Sequence, residues 1–573
     1  MHAIAGLVAV LCLCSTAPAV ADAPHDVVIR GGMIYDGSGG APYAGEVAID
    51  GDRLSYVGPP RGLGGRTVID ASGKAVAPGF INMLSWSNES LLQDGLGQSE
   101  LRQGVTLEVM GEGDSMGPLN ERMRRQMVER QGDIRYAVDW STLGEYLAKL
   151  ETRGVAPNVA SFVGATSVRS FVLDERDVQP TAAELDQMRG LVREAMEQGA
   201  LGVGASLIYA PASYARTPEL VALVTEAGRC GGMYITHMRS EGDRLIEAVA
   251  ETIEIARASG APAEIYHLKA AGRTNWGKLD EVVEMVDEAR RRGVRITADM
   301  YTYVRGATGL DAAMPPWVQD GGLEAWITRL RDPAVRAKVI AEMRDPSQDW
   351  ENLYLHAGPD GTLLLAFKNP KLKPLTGRTL ASVAKERGVS PEDAAIDLVI
   401  EDGSRVGVAY TLMSEDNVRR GTALPWMSFG SDAAAQAPEG VFLLSNPHPR
   451  AYGNFARLLA RYVREDQALT LEDAVHRLSG LPASNLSLAD RGLLRTGYFA
   501  DVVVFDPKTI QDHATFEKPH QYSTGVSEVL VNGQLAIKDG VPTGAKPGRF
   551  VRGRGWKGRE GGGCRASSRD WSW

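Results

Sequence analysis

The chain has 573 residues, of which 44% are hydrophobic and 23% are charged. This length and composition predict a soluble globular protein with a large core and a second, smaller domain. The net charge of −10 at pH 7 argues against binding through a basic surface, so we do not expect nucleic acid as a partner.

The N-terminus resembles an export signal. An apolar run from Ile4 to Cys14 is followed by small residues from Ala19 to Ala23 that fit a signal-peptidase site. The run is too short to span a bilayer comfortably, and no Lys or Arg precedes it. We therefore predict a signal peptide over residues 1–23 and export to the periplasm or the medium, without stable membrane insertion. A plain hydrophobic N-terminus is the alternative.

Two segments far apart in the sequence have the same strand-and-turn pattern. Residues 24–75 contain DVVIRGGMIYDGSGG and GEVAIDGDRLSYVG, and residues 491–550 contain YFADVVVFDP and EVLVNGQLAIKDG. Because chain ends tend to lie close together at a domain surface, these segments can pair. We predict a small β-sandwich domain built from both chain ends.

The region between these segments, residues 76–490, has the pattern of repeated β-α units. Eight short apolar runs lie between Val76 and Asp432, and most precede a helix-like stretch, which predicts a parallel sheet and an α/β fold of the (β/α)8 TIM-like barrel type. The stretch from about 311 to 425 interrupts the seventh and eighth strands. We predict a helical insertion there that lies over the barrel mouth as a lid. The predicted strands are VAPGFINML, VTLEVMG, NVASFVG, GVGASL, MYITHM, AEIYHL, RITADMY and WMSFGSD.

The cysteines and the C-terminal residues carry two further predictions about the structure of the chain. Two of the four cysteines lie in the predicted signal, which leaves Cys230 and Cys564, too few for a disulfide framework. We expect Cys230 to be a buried packing thiol. Residues 551–573 are rich in Gly, Arg and Ser without periodicity, which predicts a disordered tail.

Polar residues at the ends of the predicted strands carry the chemistry. His237 ends MYITH, His267 ends AEIYH and Asp432 ends WMSFGSD. Active sites of such barrels lie at the C-terminal ends of the strands, and imidazole pairs with carboxylates suit a catalytic zinc-like ion that keeps a position open for water. A single histidine at such a place is more often structural, but two on successive strands favour a metal site.

A third metal ligand is expected from the second strand. Glu112 in VTLEVMGEGDS is the preferred candidate, and Asp114 and Glu108 are nearby acids. A loop carboxylate that caps backbone N–H groups is an equal alternative for Glu112.

Five segments, taken together in their order and spacing, resemble the D-aminoacylase (N-acyl-D-amino-acid deacylase) branch of the amidohydrolase superfamily. This resemblance covers nearly the whole chain after the predicted signal and implies a metal-dependent hydrolase of N-acyl-D-amino acids or related small peptides. No motif fixes the stereochemistry. The segments are YITHMRSEGDRLIEAVAE, IYHLKAAGRTNWGK, SFGSD, HPRAYGNFARLLARYVRE and ADVVVFDP with VNG.

The resemblance assigns roles to the metal site. It implies that His237 and His267 bind the tightly held metal, expected to be Zn²⁺ or another divalent ion, and that Asp432 is the general base. Family members supply a cysteine as third ligand, at a position that matches Gly113 beside Glu112. A carboxylate in place of a thiolate is a reasonable exchange.

The first strand departs from the family pattern. The family's His-x-His, which holds a second and weaker metal, is replaced by Leu84-Ser85-Trp86. Leu and Trp do not bind metals, so the second site is absent or rebuilt from Asn88 or Glu89. We therefore expect a single metal ion.

The resemblance also implies a mechanism. The metal acidifies a water molecule, and Asp432 takes the proton and delivers it to the leaving amine. Tyr209 donates to the developing oxyanion, and Arg450 grips the substrate α-carboxylate, with Lys269 and Tyr301 as weaker carboxylate contacts. The alternatives are a half-buried Tyr209, a solvated Lys269 and a core Tyr301.

Two other functions remain open. One is a relative that cleaves a dipeptide or a cyclic amide, and the other is an inactive metal-binding or peptide-binding protein left after the His-x-His loss. We expect His448 and His356 to be structural. The acyl group, the metal's identity and the oligomeric state are not predicted.

Overall fold

The computed structural model describes residues 24–564, so the predicted signal peptide lies outside the described residues. Among residues 24–564, no helix is both long enough and apolar enough to cross a bilayer.

The described residues form a mixed α/β fold. Its strands are β1 His25–Ile34, β2 Tyr43–Asp50, β3 Arg53–Gly58, β4 Gly65–Asp70, β5 Ala75–Pro78, β6 Phe80–Asn82, β7 Val105–Met110, β8 Asn158–Ser161, β9 Val163–Gly164, β10 Gly202–Ser206, β11 Met233–His237, β12 Ala263–Ile265, β13 Ile296–Met300, β14 Arg305–Gly309, β15 Thr362–Ala366, β16 Gly407–Thr411, β17 Met427–Phe429, β18 Val502–Phe505, β19 Val526–Val531, β20 Gln534–Lys538 and β21 Val541–Pro542.

The helices alternate with the strands in the central part of the chain. The α-helices are α1 Ser90–Gln93, α2 Gln98–Leu101, α3 Glu121–Arg130, α4 Leu143–Arg153, α5 Ala165–Leu173, α6 Ala182–Gln198, α7 Thr217–Arg229, α8 Leu245–Ser259, α9 Leu279–Arg291, α10 Leu323–Leu330, α11 Pro333–Arg344, α12 Leu353–Ala357, α13 Leu380–Arg387, α14 Pro391–Asp402, α15 Glu415–Thr422, α16 Arg450–Arg457, α17 Leu471–Leu478 and α18 Gly480–Asn485. Short 3-10 helices lie at Ala212–Tyr214, Arg273–Lys278, Leu310–Ala313, Pro316–Gln319, Lys373–Leu375 and Gly440–Leu444, and a π-helix at Leu458–Glu465.

Two parallel sheets form the centre of the fold. One has six strands in the order β17-β13-β12-β11-β10-β9, and the other has three in the order β6-β7-β8. Each of the eight predicted runs contains a strand, and the strands are apolar because helices cover them. The first run is two strands rather than one, since β5 belongs to a different sheet from β6.

The ends of the two parallel sheets approach each other. β8 and β9 are separated by Phe162 alone. At the other ends, the Met83 N–H donates to the Phe429 carbonyl at 3.2 Å, and Ser85 pairs in parallel with Ala433. The first and last of these strands are therefore held side by side.

Both chain ends contribute to one nine-stranded sheet. Its order is β21-β20-β19-β18-β5-β1-β2-β3, with β4 also paired to β1. The two halves of the sequence join where β5 pairs antiparallel with β18, with Val76 opposite Val504. The two chain ends therefore share one β-domain, in which hydrogen bonds join all nine strands and buried side chains such as Ile29, Val47 and Val502 form a core of their own.

The insertion between β13 and β17 is not purely helical. Helices α10 to α15 accompany a small antiparallel sheet in the order β14-β16-β15. β14 was missed because its sequence, RGATG, has neither apolar alternation nor β-branched bulk beyond one Thr. The insertion supplies part of the wall of the central cavity described below.

The C-terminal segment is ordered over the part that the structure describes. The Val551 N–H donates to the Val159 carbonyl at 2.8 Å, and the Gly553 N–H donates to the Gly199 carbonyl at 2.9 Å. Cys564 forms a disulfide with Cys230. The predictions of a disordered 551–564 and of a free Cys230 thiol are therefore wrong, because backbone pairing and a covalent bond hold a segment that is rich in Gly and Arg. Residues 565–573 lie outside the described range.

Candidate metal centre

Three side chains converge where the central strands end. Glu112 follows β7, His237 is the last residue of β11, and His267 lies two residues after β12. One potential ligand atom from each residue lies within 4.8 Å of the other two. All three side chains are buried, and no other group of three such residues occurs in the described part of the chain.

Glu112 lies between the two imidazoles. Its Oε1 is 3.2 Å from His237 Nδ1 and 2.8 Å from His267 Nε2. The two rings meet edge to face, with centroids 4.6 Å apart. Of the three acids considered from sequence, the structure thus brings Glu112 to the histidines.

A second carboxylate, Glu241, lies on the other side of the histidines. Its Oε1 is 2.9 Å from His267 Nδ1 and 2.5 Å from Lys269 Nζ, and its Oε2 is 3.7 Å from His237 Nε2. A carboxylate on the outer nitrogen of a metal-binding histidine fixes the orientation of the ring. Glu241 was not among the predicted site residues, although its place four residues after His237 in YITHMRSEGD was a usable signal.

The charges of this cluster stabilise one another. Burial alone would raise the pKa of Glu112, but the charges and hydrogen bonds of His267 and His237 hold it well below the usual range of a glutamate. Burial also opposes ionisation of Glu241, yet His237, Lys269 and His267 lower its pKa. Burial and Lys269 act to lower the pKa of His267, but the two glutamates outweigh them and raise it to about 10.

These residues fit a divalent metal. Two imidazoles and a carboxylate are ligands that zinc accepts, and the negative potential that favours a proton on His267 also favours a cation. His237 Nε2 is buried without a hydrogen-bond partner on the side of Glu241, which costs free energy in the protein alone. The nitrogen of this ring that faces Glu112 is Nδ1, so Nδ1 is the atom that would reach an ion held by the three side chains.

Asp432 lies beside the cluster. Its Oδ1 accepts a hydrogen bond from Trp86 Nε1 at 3.1 Å, and its Oδ2 is 2.8 Å from a guanidinium nitrogen of Arg450. The residue has a φ of +49°, in the left-handed region, and its N–H donates to the Leu84 carbonyl at 2.8 Å. Burial raises the pKa of Asp432, and the Arg450 charge offsets this only in part.

Arg450 is held in place from several sides. Its backbone N–H donates to His448 Nδ1 at 3.0 Å, and His448 Nε2 is 3.0 Å from the Arg305 carbonyl. The guanidinium lies 4.4 Å from the centre of the Tyr301 ring. Its Nε and Nη1 are buried without a hydrogen-bond partner, so two donors remain for an anion. His448 therefore has a structural role, as expected, in positioning Arg450.

A cavity of about 1000 Å³ contains the cluster and reaches into the insertion. Tyr209 borders it, with its ring centre 5.3 Å from that of His237. The guanidinium carbon of Arg405, in the insertion, lies 4.9 Å from the centre of the Tyr209 ring. Lys269, Tyr301 and Arg450 also line the cavity, so all the predicted substrate contacts share one space with the candidate ligands.

Other predicted candidates lie apart from the ligand set. Glu108 faces the interior of the sheet and accepts a hydrogen bond from Asn82 at 3.0 Å. Glu89 accepts one from the Tyr136 hydroxyl at 2.7 Å. Asp114 lines the cavity without joining the three converging ligands. Among residues 24–564, Glu89 belongs to no group of three converging His, Cys, Asp or Glu side chains.

Comparison with known sequences gives a family match over most of the chain. A model of the amidohydrolase family matches residues 67–537. The D-aminoacylase of Alcaligenes xylosoxydans xylosoxydans is 32% identical over 532 residues, which are 92% of this chain and 98% of that protein.

Comparison with solved structures agrees. The N-acyl-D-glutamate deacylase of Bordetella bronchiseptica, complexed with zinc and a phosphonate that mimics the tetrahedral intermediate, is similar with a TM-score of 0.76 and 30% identity over 92% of this chain and 100% of that one. A D-aminoacylase with a binuclear metal centre, in which one metal activates and the second attenuates, has a TM-score of 0.76 and 30% identity over the same shares, 92% and 100%.

Proposed function

Because this chain belongs to the amidohydrolase family, we propose that it is a metal-dependent hydrolase that cleaves the amide bond of N-acyl-D-amino acids. The observation that carries the proposal is the convergence of Glu112, His237 and His267 in the same cavity as Asp432 and Arg450. A metal site, a carboxylate base and an anion-binding guanidinium are the parts that hydrolysis of an N-acyl amino acid requires.

We propose one zinc ion at the Glu112–His237–His267 cluster. The donor set supports zinc, and the relative from Bordetella bronchiseptica contains it. When bound, the ion supplies Lewis-acid chemistry, polarising the amide carbonyl and making water more acidic. Leu84 and Trp86 do not bind a second ion, which supports a single site.

The chain's own residues supply the proton transfers. Asp432 Oδ2 takes the proton of the attacking water and returns it to the leaving nitrogen. In the substrate-free protein this oxygen pairs with Arg450, so binding of the substrate carboxylate by Arg450 frees it for the reaction. Tyr209, whose ring lies beside that of His237, donates to the oxyanion.

Two cationic residues of the cavity, Arg450 and Lys269, recognise the amino-acid part of the substrate. Arg450 binds the α-carboxylate by turning from Asp432 to the substrate, so that an edge of two N–H donors faces both carboxylate oxygens, and Tyr301 forms the wall beneath the guanidinium. Lys269 Nζ contacts both Glu241 and His267 Nδ1. We therefore propose that Lys269 helps to orient His267, in addition to contacting the substrate carboxylate.

We infer that the two parallel sheets are the parts of one closed (β/α)8 barrel. The hydrogen bond from Met83 to Phe429 and the Ser85–Ala433 pair support closure between the first and last strands. At the other junction β8 and β9 are separated by one residue only. Active sites of such barrels lie at the strand ends where the cluster lies.

We also propose that the protein is exported. The apolar run and small residues at the N-terminus support a signal peptide. The Cys230–Cys564 disulfide supports it independently, because disulfides persist in oxidising compartments such as the periplasm.

A substrate panel tests the function. The purified protein, loaded with zinc, is assayed on N-acetylated amino acids of both hands, on D-containing dipeptides and on a cyclic amide, with the metal content measured in parallel. We expect about one zinc per chain and a kcat/KM for D-substrates at least about 10-fold above that for their L-forms. A zinc-loaded, folded protein that hydrolyses none of these substrates contradicts the proposal, and a preference for dipeptides or the cyclic amide would replace the substrate class.

A further inference from the structure

Trp86 occupies an unusual place in the metal centre. Its indole Nε1 donates to Glu112 Oε2 at 3.0 Å and to Asp432 Oδ1 at 3.1 Å. We propose that Trp86 is a positioning residue whose single N–H bridges the ligand carboxylate and the base, in place of a second cation. For its effect on zinc affinity this inference rests on the proposed zinc site alone, and for its effect on turnover it rests on the proposed hydrolase activity as well.

The geometry requires something positive between the two carboxylates. Glu112 and Asp432 each direct one oxygen at the same nitrogen, and two carboxylates that converge in a buried site repel each other. Their other oxygens are engaged elsewhere, Glu112 Oε1 by the histidines and Asp432 Oδ2 by Arg450. The indole hydrogen is therefore the group that satisfies the remaining pair of oxygens.

The backbone fixes the indole at this point. The Trp86 N–H donates to the Ala433 carbonyl at 2.9 Å, and the Asp432 N–H donates to the Leu84 carbonyl at 2.8 Å. The segments 84–86 and 432–433 are thus bonded to each other in both directions. Asp432 keeps its left-handed conformation, and the indole reaches both carboxylates without spanning a mobile loop.

Two consequences follow for the chemistry. By holding Glu112 Oε2, the indole leaves Oε1 directed at the histidines. By holding Asp432 Oδ1, it leaves Oδ2 as the oxygen that exchanges protons once Arg450 has turned to the substrate. Trp86 touches neither substrate nor metal in this scheme and acts through its two neighbours.

The test compares indole N–H bonds at two places in the chain. Trp86→Phe keeps a ring and removes the donor. The matched control is Trp426→Phe, because Trp426 Nε1 also donates to a carboxylate, Asp287 Oδ1 at 2.8 Å, outside the cavity. For Trp86→Phe we expect zinc affinity, measured by chelator competition, to fall about 10-fold and kcat to fall about 10- to 100-fold, with KM changed by less than about 3-fold. Trp426→Phe should leave all three quantities near wild type.

A rescue variant separates the donor from the ring. In Trp86→Gln, the amide nitrogen is the same number of bonds from Cβ as the indole nitrogen, so it can donate to the same oxygens. We expect Trp86→Gln to retain more zinc affinity and more kcat than Trp86→Phe. Equal losses in the two variants, or a Trp86→Phe protein that matches Trp426→Phe, would overturn the inference.

These measurements distinguish a wrong role for Trp86 from a wrong substrate class. If the wild-type protein hydrolyses no N-acyl amino acid, the proposed function fails, while the zinc affinities of the variants still decide the role of Trp86. If the wild type is active and zinc affinity does not depend on the donor at residue 86, only the present inference fails. Circular dichroism of each variant confirms that the comparison is made between folded proteins.

Discussion

Two of the groups of buried carboxylates in the described part of the chain have opposite electrostatic states. At the metal centre, the histidines and Lys269 hold the pKa values of Glu112 and Glu241 well below the usual range despite burial. In the interior of the parallel sheets, burial raises the pKa values of Glu108 and Glu264 to about 7. We call the second group the interior carboxylates, which are Glu100, Glu108, Glu264 and Asp299.

The difference comes from the partners and not from burial. Glu264 accepts hydrogen bonds from neutral groups, Thr297 at 2.7 Å, Ser428 at 3.0 Å and Asn485 at 2.9 Å. Neutral donors satisfy the oxygens but supply no charge, so the protonated form is favoured. Cationic partners at the metal centre favour the ionised form. Carboxyl groups at the same depth of burial therefore favour the protonated form in one place and the ionised form in the other.

Removal of the metal-centre histidines is the strongest challenge to this comparison. For His237→Ala and His267→Ala we expect loss of bound zinc and a fall in kcat/KM of at least about 1000-fold, since the ion supplies most of the activation of water and carbonyl. Metal analysis and the amide-hydrolysis assay measure both. His513→Ala, an exposed histidine on the surface, is the control. Zinc content and activity near wild type in both histidine variants would rule out the cluster as the metal site.

Asp432→Asn tests whether the carboxylate beside the metal centre acts as the general base. The amide keeps the size of the side chain but does not accept a proton, so we expect kcat to fall about 100- to 1000-fold while zinc content stays at the wild-type level. Steady-state kinetics and metal analysis on the same preparation provide the measurement. An unchanged kcat would remove Asp432 from the role of base.

Arg450→Gln tests the cation that links Asp432 to the substrate. Loss of a bidentate carboxylate partner should lower kcat/KM for N-acyl amino acids about 10- to 100-fold. The same variant should lose little on an N-acyl amino-acid amide, which has no carboxylate to bind. Equal losses on both substrates would assign Arg450 to the support of Asp432 alone.

Glu264→Gln tests whether an interior carboxylate is protonated in the folded protein. A carboxyl group whose pKa is raised to about 7 in the folded protein, from a value of 4.5, is deprotonated first in the unfolded chain, so the wild type loses stability as the pH rises through that window. The variant has no such group, and we expect its free energy of unfolding to exceed that of the wild type by about 3 kcal/mol at pH 8 and by nothing at pH 4.

Denaturant unfolding at the two pH values measures this difference. Glu254→Gln, at an exposed position of α8, is the matched control and should show no dependence on pH relative to the wild type. A Glu264→Gln protein that is less stable than the wild type at pH 8 would mean that the interior carboxylates are ionised.

The parts of the site that lie on strands could be predicted, because a buried strand and the polar residue that ends it are local patterns. His237, His267 and Glu112 are of this kind, and the structure brings them together. Glu241 could not be placed from sequence, since its contact with His267 depends on how the loop after β11 returns to the cavity. For Trp86 the sequence indicated only a lost ligand, because a hydrogen bond to two carboxylates depends on the meeting of segments 346 residues apart.

The fold shows the same division between local and distant information. Eight apolar runs and their helices indicated the repeated β-α units, but the small antiparallel sheet of the insertion contains strands with little apolar periodicity. The pairing of Cys230 with Cys564 joins residues 334 positions apart, and nothing in either flanking sequence encodes it. Composition predicted disorder for a segment whose order comes from its contacts with the rest of the protein.

The disulfide closes residues 230–564 into a covalent ring, and the residues before Cys230 form an arm attached to it. His237, His267 and Asp432 lie inside the ring closed by Cys230 and Cys564, whereas Trp86 and Glu112 lie on the arm. A single backbone cut within the insertion would open the ring without dividing the molecule, because the two pieces would stay joined through sulfur. The ligands on one side of the cut and the base on the other would remain parts of one covalent body.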